Sequence, residues 1–225
     1  MRSSVFLFVT ALLLYGSLAQ AASPVARMTA PPVSFSRVGV FFEFETRPAQ
    51  LAIETMQREV ESIMRPAGLT FGWRELGTPD QGSFADLVVV KFKGTCSGVD
   101  PLTADSYSVT PGTALASTKT SNGQVLHFTD VYCDEVRRYL SADAAPLDEA
   151  GRDLLYGRAF GRILSHEMWH IFAGTEKHAS TGIARACFNR KELVQPVLLF
   201  DLKEEAVLHQ YAMRALLSKE ANPEP

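Results

Sequence analysis

Two histidines and a glutamate in the stretch SHEMWH, residues 165–170, have the types and spacing that can bind and use a metal ion. His166 and His170 lie four residues apart, so on a helix their imidazoles share one face. Glu167 would project beside the same ion, where a carboxylate can take a proton from water that the ion has acidified. The spacing therefore predicts a zinc site for hydrolysis, with Glu167 as the general base.

A third protein ligand must come from elsewhere, because a catalytic zinc usually has three of them and one open position. Gly174 predicts the end of the helix, since glycine readily takes the left-handed conformation found there. The turn could bring back His178, which we favour as an imidazole ligand, or Glu176. A glutamate on the last predicted helix, Glu204 or Glu205, is the remaining alternative.

The wider stretch around the motif, residues 157–188, reads GRAFGRILSHEMWHIFAGTEKHASTGIARACF. It resembles a group of secreted bacterial proteins with metzincin-like zinc sites. In that group the H-E-x-x-H helix is followed by Gly-Thr, a histidine and Gly-Ile/Val-Ala-Arg-Ala. The resemblance implies a zinc metallopeptidase of the zincin class, with metal ligands His166, His170 and His178 and with Glu167 as the catalytic residue.

The chain departs in two ways from the metzincin motif, H-E-x-x-H-x-x-G-x-x-H. Its glycine comes one residue late and its histidine two, while Ala173 and Glu176 stand at the strict motif positions. Metzincins also carry a methionine turn beneath the zinc, and here STGIARA, residues 180–186, stands in that place without methionine. The sequence therefore leaves open whether this chain is a true metzincin.

The helix that carries the motif is predicted to run from about Arg152 to Phe172, with an apolar first half that must be buried. The apolar run in residues 85–94 is typical of a strand buried on both faces. Asp130 is predicted to cap the helix that follows it. The predicted strands are residues 38–45, 69–76, 85–94, 113–118 and 124–130, and the predicted helices are residues 49–64, 131–140, 152–172 and 201–219.

This order of elements predicts an α/β (α+β) fold of the zincin or metzincin-like kind. We expect a twisted, mostly parallel sheet of four or five strands with an antiparallel edge strand. The sheet packs against the long helix that carries H-E-x-x-H. Residues 113–118 are the predicted edge strand, and an extended substrate would bind there by strand addition.

The first 21 residues have the pattern of a signal peptide. Arg2 precedes an apolar run from Val5 to Tyr15, and Ala19-Gln20-Ala21 fits a small-residue cleavage site. The run is too short for a transmembrane helix, which needs about 20 residues. We therefore predict a signal peptide over residues 1–21, a flexible segment over 22–37 and a catalytic domain over 38–225. The mature protein would be secreted or periplasmic and free of the membrane.

The chain has three cysteines, Cys96, Cys133 and Cys187. In an oxidising compartment one disulfide is expected, and one thiol remains over. We favour the pair Cys96–Cys133, because both residues flank the same loop-rich region. Cys187 is then interpreted as a small hydrophobic thiol of the core rather than as a zinc ligand.

Charge limits the partners of this chain. The formal net charge is −3 and no basic stripe is present, so nucleic acid is not an expected partner. We expect a peptide or protein substrate and a monomeric enzyme.

Two alternatives to a zinc peptidase remain. One is a catalytically silent zinc-binding extracellular domain that acts in binding or adhesion, and the other is a binding module without metal in which the motif is accidental.

Overall fold

The computed structural model describes residues 36–79, 84–97 and 113–221. The predicted signal peptide and residues 22–35 of the predicted flexible segment lie outside these ranges, and so does part of the loop-rich region. Within the described ranges, no helix is both long enough and apolar enough to cross a membrane.

The described strands form a five-stranded sheet in the order β2-β1-β3-β5-β4. All neighbouring pairs are parallel except β4 and β5, which pair antiparallel at one edge. The predicted mostly parallel sheet with an antiparallel edge strand is therefore confirmed. The strands are β1 (Ser36–Thr46), β2 (Leu69–Glu75), β3 (Asp86–Thr95), β4 (Ala116–Ser121) and β5 (Gln124–Tyr132).

Strand β3 is buried on one face rather than on both, so this part of the prediction is wrong. Val88, Val90 and Phe92 are fully buried. Leu87, on the opposite face, is 47% exposed, and the Lys91 ammonium group pairs there with the Glu43 carboxylate at 2.7 Å. A short apolar run has the same sequence pattern whether one or both of its faces are covered.

The described residues contain six α-helices and one short 3₁₀ helix, Arg65–Ala67. The predicted helices at residues 49–64, 152–172 and 201–219 are confirmed to within three residues at each end. The α-helices are α1 (Gln50–Met64), α2 (Cys133–Tyr139), α3 (Ser141–Ala144), α4 (Glu149–Ala173), α5 (Arg190–Val194) and α6 (Leu202–Ala221).

Asp130 does not cap a helix, contrary to the prediction. It lies inside β5, where its buried carboxylate pairs with the ammonium groups of Lys93 at 2.9 Å and Lys119 at 2.6 Å. These lysines come from the two strands beside β5, so the carboxylate is satisfied within the sheet. Strand β5 therefore continues to Tyr132, and α2 begins at Cys133.

Helix α4 lies directly against the backbone of α1. A Cβ atom at Gly157 would stand 2.5 Å from the carbonyl oxygen of Ala52, and one at Gly161 would stand 2.9 Å from that of Met56. Real Cβ atoms do not approach a carbonyl oxygen so closely. The two glycines therefore allow the close helix contact that fixes α4 over the sheet.

The middle of α4 runs through the core. Leu164 and Met168 are fully buried, and so is Arg162. The Arg162 guanidinium donates to the Glu59 carboxylate of α1 at 2.7 Å and to two backbone carbonyl oxygens. A buried charge with this many partners ties α4 to its neighbours and restricts its rotation about its own axis.

The predicted disulfide Cys96–Cys133 is present. Both half-cystines are buried, and the bond joins the end of β3 to the start of α2. It closes a loop of 37 residues that includes β4 and β5.

Candidate metal centre

Three histidines come together at the end of α4 and the loop that follows it. His166 and His170 lie one turn apart on α4, and His178 packs against both rings from the loop. One ring nitrogen from each residue lies within 4.8 Å of the others, and the Nε2 atoms of His166 and His170 are 3.1 Å apart. The fold thus assembles the three predicted metal ligands into one cluster, which we call the histidine cluster.

A turn after α4 returns the chain to the histidine cluster. Gly174 ends the helix in the left-handed conformation, with φ 59° and ψ 40°. The indole N–H of Trp169 then donates to the carbonyl oxygen of Lys177 at 3.3 Å, which holds the residue before His178 against the helix.

Two backbone carbonyls orient the ligands on α4. The Nδ1 atom of His166 lies 2.8 Å from the Ile183 carbonyl oxygen, and that of His170 lies 2.7 Å from the Thr175 carbonyl oxygen. A carbonyl oxygen only accepts, so each Nδ1 carries the proton and each Nε2 keeps its lone pair. The two Nε2 lone pairs therefore face each other at 3.1 Å, an arrangement that a cation between them stabilises.

The histidine cluster fits zinc in donor chemistry and in spacing. Burial lowers the pKa of His166 to about 4, and it also lowers the pKa of His178, so both are neutral near pH 7. Neutral imidazoles are the form that binds metal. Two nitrogens on one tetrahedral zinc, each at roughly 2.0–2.1 Å, are about 3.4 Å apart. The 3.1 Å between the Nε2 atoms of His166 and His170 is close to that value.

Glu167 is buried beside the cluster and is not part of it. Its Oε2 atom accepts a hydrogen bond of 2.6 Å from the hydroxyl group of Thr118 on β4. Burial raises the pKa of the Glu167 carboxyl, and the hydrogen bond from Thr118 acts in the opposite direction. A carboxylate with these properties is suited to accept and return a proton.

A cavity of about 610 Å³ lies beside the histidine cluster. Its walls come from β4 with the residues just before it, from β5, α2 and α4, and from the loop after α4. Cys187 lies in the loop wall and is exposed, so the prediction of a core thiol is wrong. In this segment Ile183 and Ala184 enter the core, whereas Cys187 borders the cavity. Apolar lining comes from Leu115, Val125, Tyr139, Ile163 and Phe188.

The alternative third ligands lie outside the histidine cluster. Glu176 is exposed and lines the cavity, and Glu204 is buried on α6 next to Glu205. Within the part of the chain that is described, the group of donor atoms close enough to share one ion consists of the three histidines. The geometry therefore favours His178 over these glutamates as the third metal ligand.

The other two histidines have different surroundings. His127 lies on β5, with its Nδ1 atom 3.1 Å from Oδ1 of Asp86. The same carboxylate accepts a hydrogen bond from the hydroxyl group of Tyr211 on α6 and raises the pKa of His127. His209 is exposed on α6. Neither belongs to the histidine cluster.

Three residues of the site do not follow from the H-E-x-x-H motif. Ile183 lies in STGIARA, is fully buried and orients His166 through its carbonyl group. Thr175 orients His170, and its position directly after the helix-ending glycine is a local signal for that role. Thr118 has no such signal, because it lies 49 residues before Glu167 in the chain.

Comparison with known proteins adds one structural neighbour. No family model and no curated protein sequence matches this chain. Archaemetzincin from Methanopyrus kandleri is similar in structure, with a TM-score of 0.47 and 14% sequence identity. The match covers 82% of this chain and 99% of the archaemetzincin chain.

Proposed function

We propose that this chain is a zinc-dependent metallopeptidase that hydrolyses peptide bonds. The observation that carries the proposal is the histidine cluster, with its three nitrogens within 4.8 Å and a buried glutamate at its side. Three imidazole ligands leave the fourth position of a tetrahedral zinc open, which is the arrangement of catalytic sites rather than structural ones. The H-E-x-x-H motif and the resemblance to metzincin-like proteins support the same reaction.

Each residue of the site has a role in this proposal. His166, His170 and His178 would hold the zinc ion, which would act as a Lewis acid towards water and the substrate carbonyl group. The Glu167 carboxylate accepts a proton from the attacking water and passes it to the leaving nitrogen. The carbonyl groups of Ile183 and Thr175 keep the two helix ligands in the tautomer that binds metal.

The walls of the cavity suit an extended peptide. Strand β4 is one of the two edges of the described sheet, and residues 113–118 border the cavity along their length. An edge strand offers backbone N–H and C=O groups to an added strand, while the cavity receives side chains. We therefore propose a peptide or protein substrate that binds alongside β4.

The setting of the enzyme is part of the proposal. We propose that it is exported with cleavage near Ala21 and acts as a monomer outside the cytoplasm. The signal-peptide pattern of residues 1–21 supports export, and the net charge of −3 gives no reason to expect nucleic acid as a partner.

Elemental analysis combined with a peptidase assay tests the proposal. We expect wild type to contain one zinc per chain and to cleave casein or a fluorescence-quenched peptide library. Glu167→Gln should keep its zinc and lose turnover by about 10²- to 10⁴-fold, because it lacks the base. Glu54→Gln, an exposed change on α1, is the matched control and should behave as wild type.

Two results would contradict the proposal. Purification without zinc after growth in zinc-replete medium would exclude a zinc enzyme. Tight zinc binding without cleavage by wild type, and with no difference between wild type and Glu167→Gln, would favour the catalytically silent zinc-binding domain.

A further inference from the structure

Thr118 is the side chain that contacts the Glu167 carboxylate. Its Oγ1 atom is 2.6 Å from Glu167 Oε2 and 3.4 Å from the Glu167 backbone oxygen. Among the described residues, no other side chain donates a hydrogen bond to this carboxylate. The backbone N–H of Thr118 also interacts with this carboxylate. Glu167 has several rotatable bonds, so the strong hydrogen bond from the Thr118 hydroxyl group helps to decide where its carboxylate stays.

The backbone of β4 directs Thr118 toward α4. Thr118 pairs with Thr129 of β5, and the register then shifts so that Thr120 pairs with Val125. Two steps along β4 correspond to four along β5, so the extra residues lie on β5, and such irregularities are common next to active sites. Lys119, the next residue, is anchored by its ion pair with Asp130. The position of Thr118 is thus held by the sheet and does not depend on its contact with Glu167.

We infer that Thr118 is a positioning residue, whose hydroxyl group holds the Glu167 carboxylate where it exchanges a proton with the attacking water. This inference rests on the proposed function. The strand that borders the substrate cavity would then also place the general base. Small displacements of a reacting group cost large factors in rate, up to about 10²-fold for 1 Å.

Variants of Thr118 separate the effect of its hydroxyl group on kcat from the effect of its side-chain shape. Thr118→Val keeps the shape and removes the donor, so its kcat should fall by about 10- to 100-fold with KM and zinc content close to wild type. Thr118→Ser keeps the hydroxyl donor, so its kcat should stay within about threefold of the wild-type value.

Thr129→Val is the matched control. Thr129 lies opposite Thr118 on β5 and is buried, and its hydroxyl group has no hydrogen-bond partner within the described residues. The same chemical change at this position should leave kcat unchanged. A fall in kcat equal to that of Thr118→Val would overturn the inference, because it would show a general effect of Thr→Val changes in the sheet.

A double variant tests whether Thr118 acts through Glu167. In the Glu167→Gln background the base is absent, so adding Thr118→Val should cause no further loss of the residual turnover. A further loss by the same factor as in wild type would show that Thr118 acts on the substrate or on the fold, and would overturn the inference.

Crystal structures of zinc-free wild type and Thr118→Val give a readout that does not need turnover. We expect the Glu167 carboxylate to leave its wild-type place in Thr118→Val and to keep it in Thr118→Ser. An unmoved carboxylate in Thr118→Val would overturn the positioning role while leaving the proposed function intact. Wild type without any peptidase activity would overturn the proposed function and the catalytic role of Thr118 together, whatever the carboxylate does.

Discussion

Single residues decide the chemistry of the histidine cluster. In the proposed site, the types His, Glu and His with the H-E-x-x-H spacing supply two ligands and a base. The third ligand would then be one of two residues in the loop after α4, His178 or Glu176. His178 lies in the cluster, while Glu176 borders the cavity without joining it. His178 and Glu176 both lie within a few residues of the turn at Gly174. They differ in the direction in which their side chains point from the loop.

The two loop residues should differ in their effect on zinc binding. His178→Ala removes one of three ligands, so zinc affinity should fall by about 100-fold or more. Glu176→Ala, the matched loop variant, should leave affinity unchanged. Competition with a chromophoric chelator measures the zinc dissociation constants of both variants. Our assignment is wrong if Glu176→Ala weakens zinc binding and His178→Ala does not.

At the scale of elements, the two ends of α4 have separate tasks. Its N-terminus is capped by the Asp148 side chain, which accepts a hydrogen bond of 2.8 Å from the Gly151 N–H. Its C-terminus ends at Gly174, whose left-handed conformation turns the chain back toward the cluster. The first end contributes to stability, whereas the second also places the proposed third ligand, His178.

Gly174→Ala should therefore weaken both the fold and the zinc site. A non-glycine residue in the left-handed region costs about 1–2 kcal/mol, and any relaxation of the turn displaces His178. Urea unfolding with a chelator measures the first effect, and zinc titration measures the second.

Asp148→Ala is the control at the other end of α4. Loss of an N-cap costs about 1 kcal/mol, a similar destabilisation, yet zinc affinity should stay at the wild-type value because the cap is remote from the cluster. Equal zinc affinities of Gly174→Ala and wild type would show that the turn does not control the third ligand.

At the scale of the whole molecule, the disulfide stabilises the part of the sheet, β4 and β5, that forms the cavity wall facing α4. Strands β4 and β5 lie within the loop closed by Cys96–Cys133, and β4 contributes both the cavity edge and Thr118. The bond therefore stabilises the part of the fold on which the cavity depends.

Removal of the disulfide should destabilise the protein strongly. For a loop of 37 residues, the chain-entropy model gives about 3–4 kcal/mol, so the variant Cys96→Ala/Cys133→Ala should lose that much free energy of unfolding. Urea unfolding of the metal-free protein measures it. Cys187→Ala removes the exposed free thiol and should leave stability unchanged. A double variant as stable as wild type would exclude this role of the bond.

Some features of this protein depend on short-range patterns and were therefore open to prediction from its sequence. Histidines four apart share a helix face, glycine favours the left-handed turn at position 174, and alternating elements imply a mostly parallel sheet. Each of these preferences acts within a few residues or within one element, so it is present in the sequence before any packing occurs.

Other features arose only from tertiary contacts. Thr118 meets Glu167 across 49 residues, and the carboxylate of Asp130 is satisfied by lysines from two neighbouring strands. The exposed face of β3 and the place of Cys187 in the cavity wall also depend on what packs nearby. Strand register and helix packing bring such residues together. No local preference of the chain encodes these contacts, so only the folded structure reveals how the Glu167 carboxylate is held and what borders the histidine cluster.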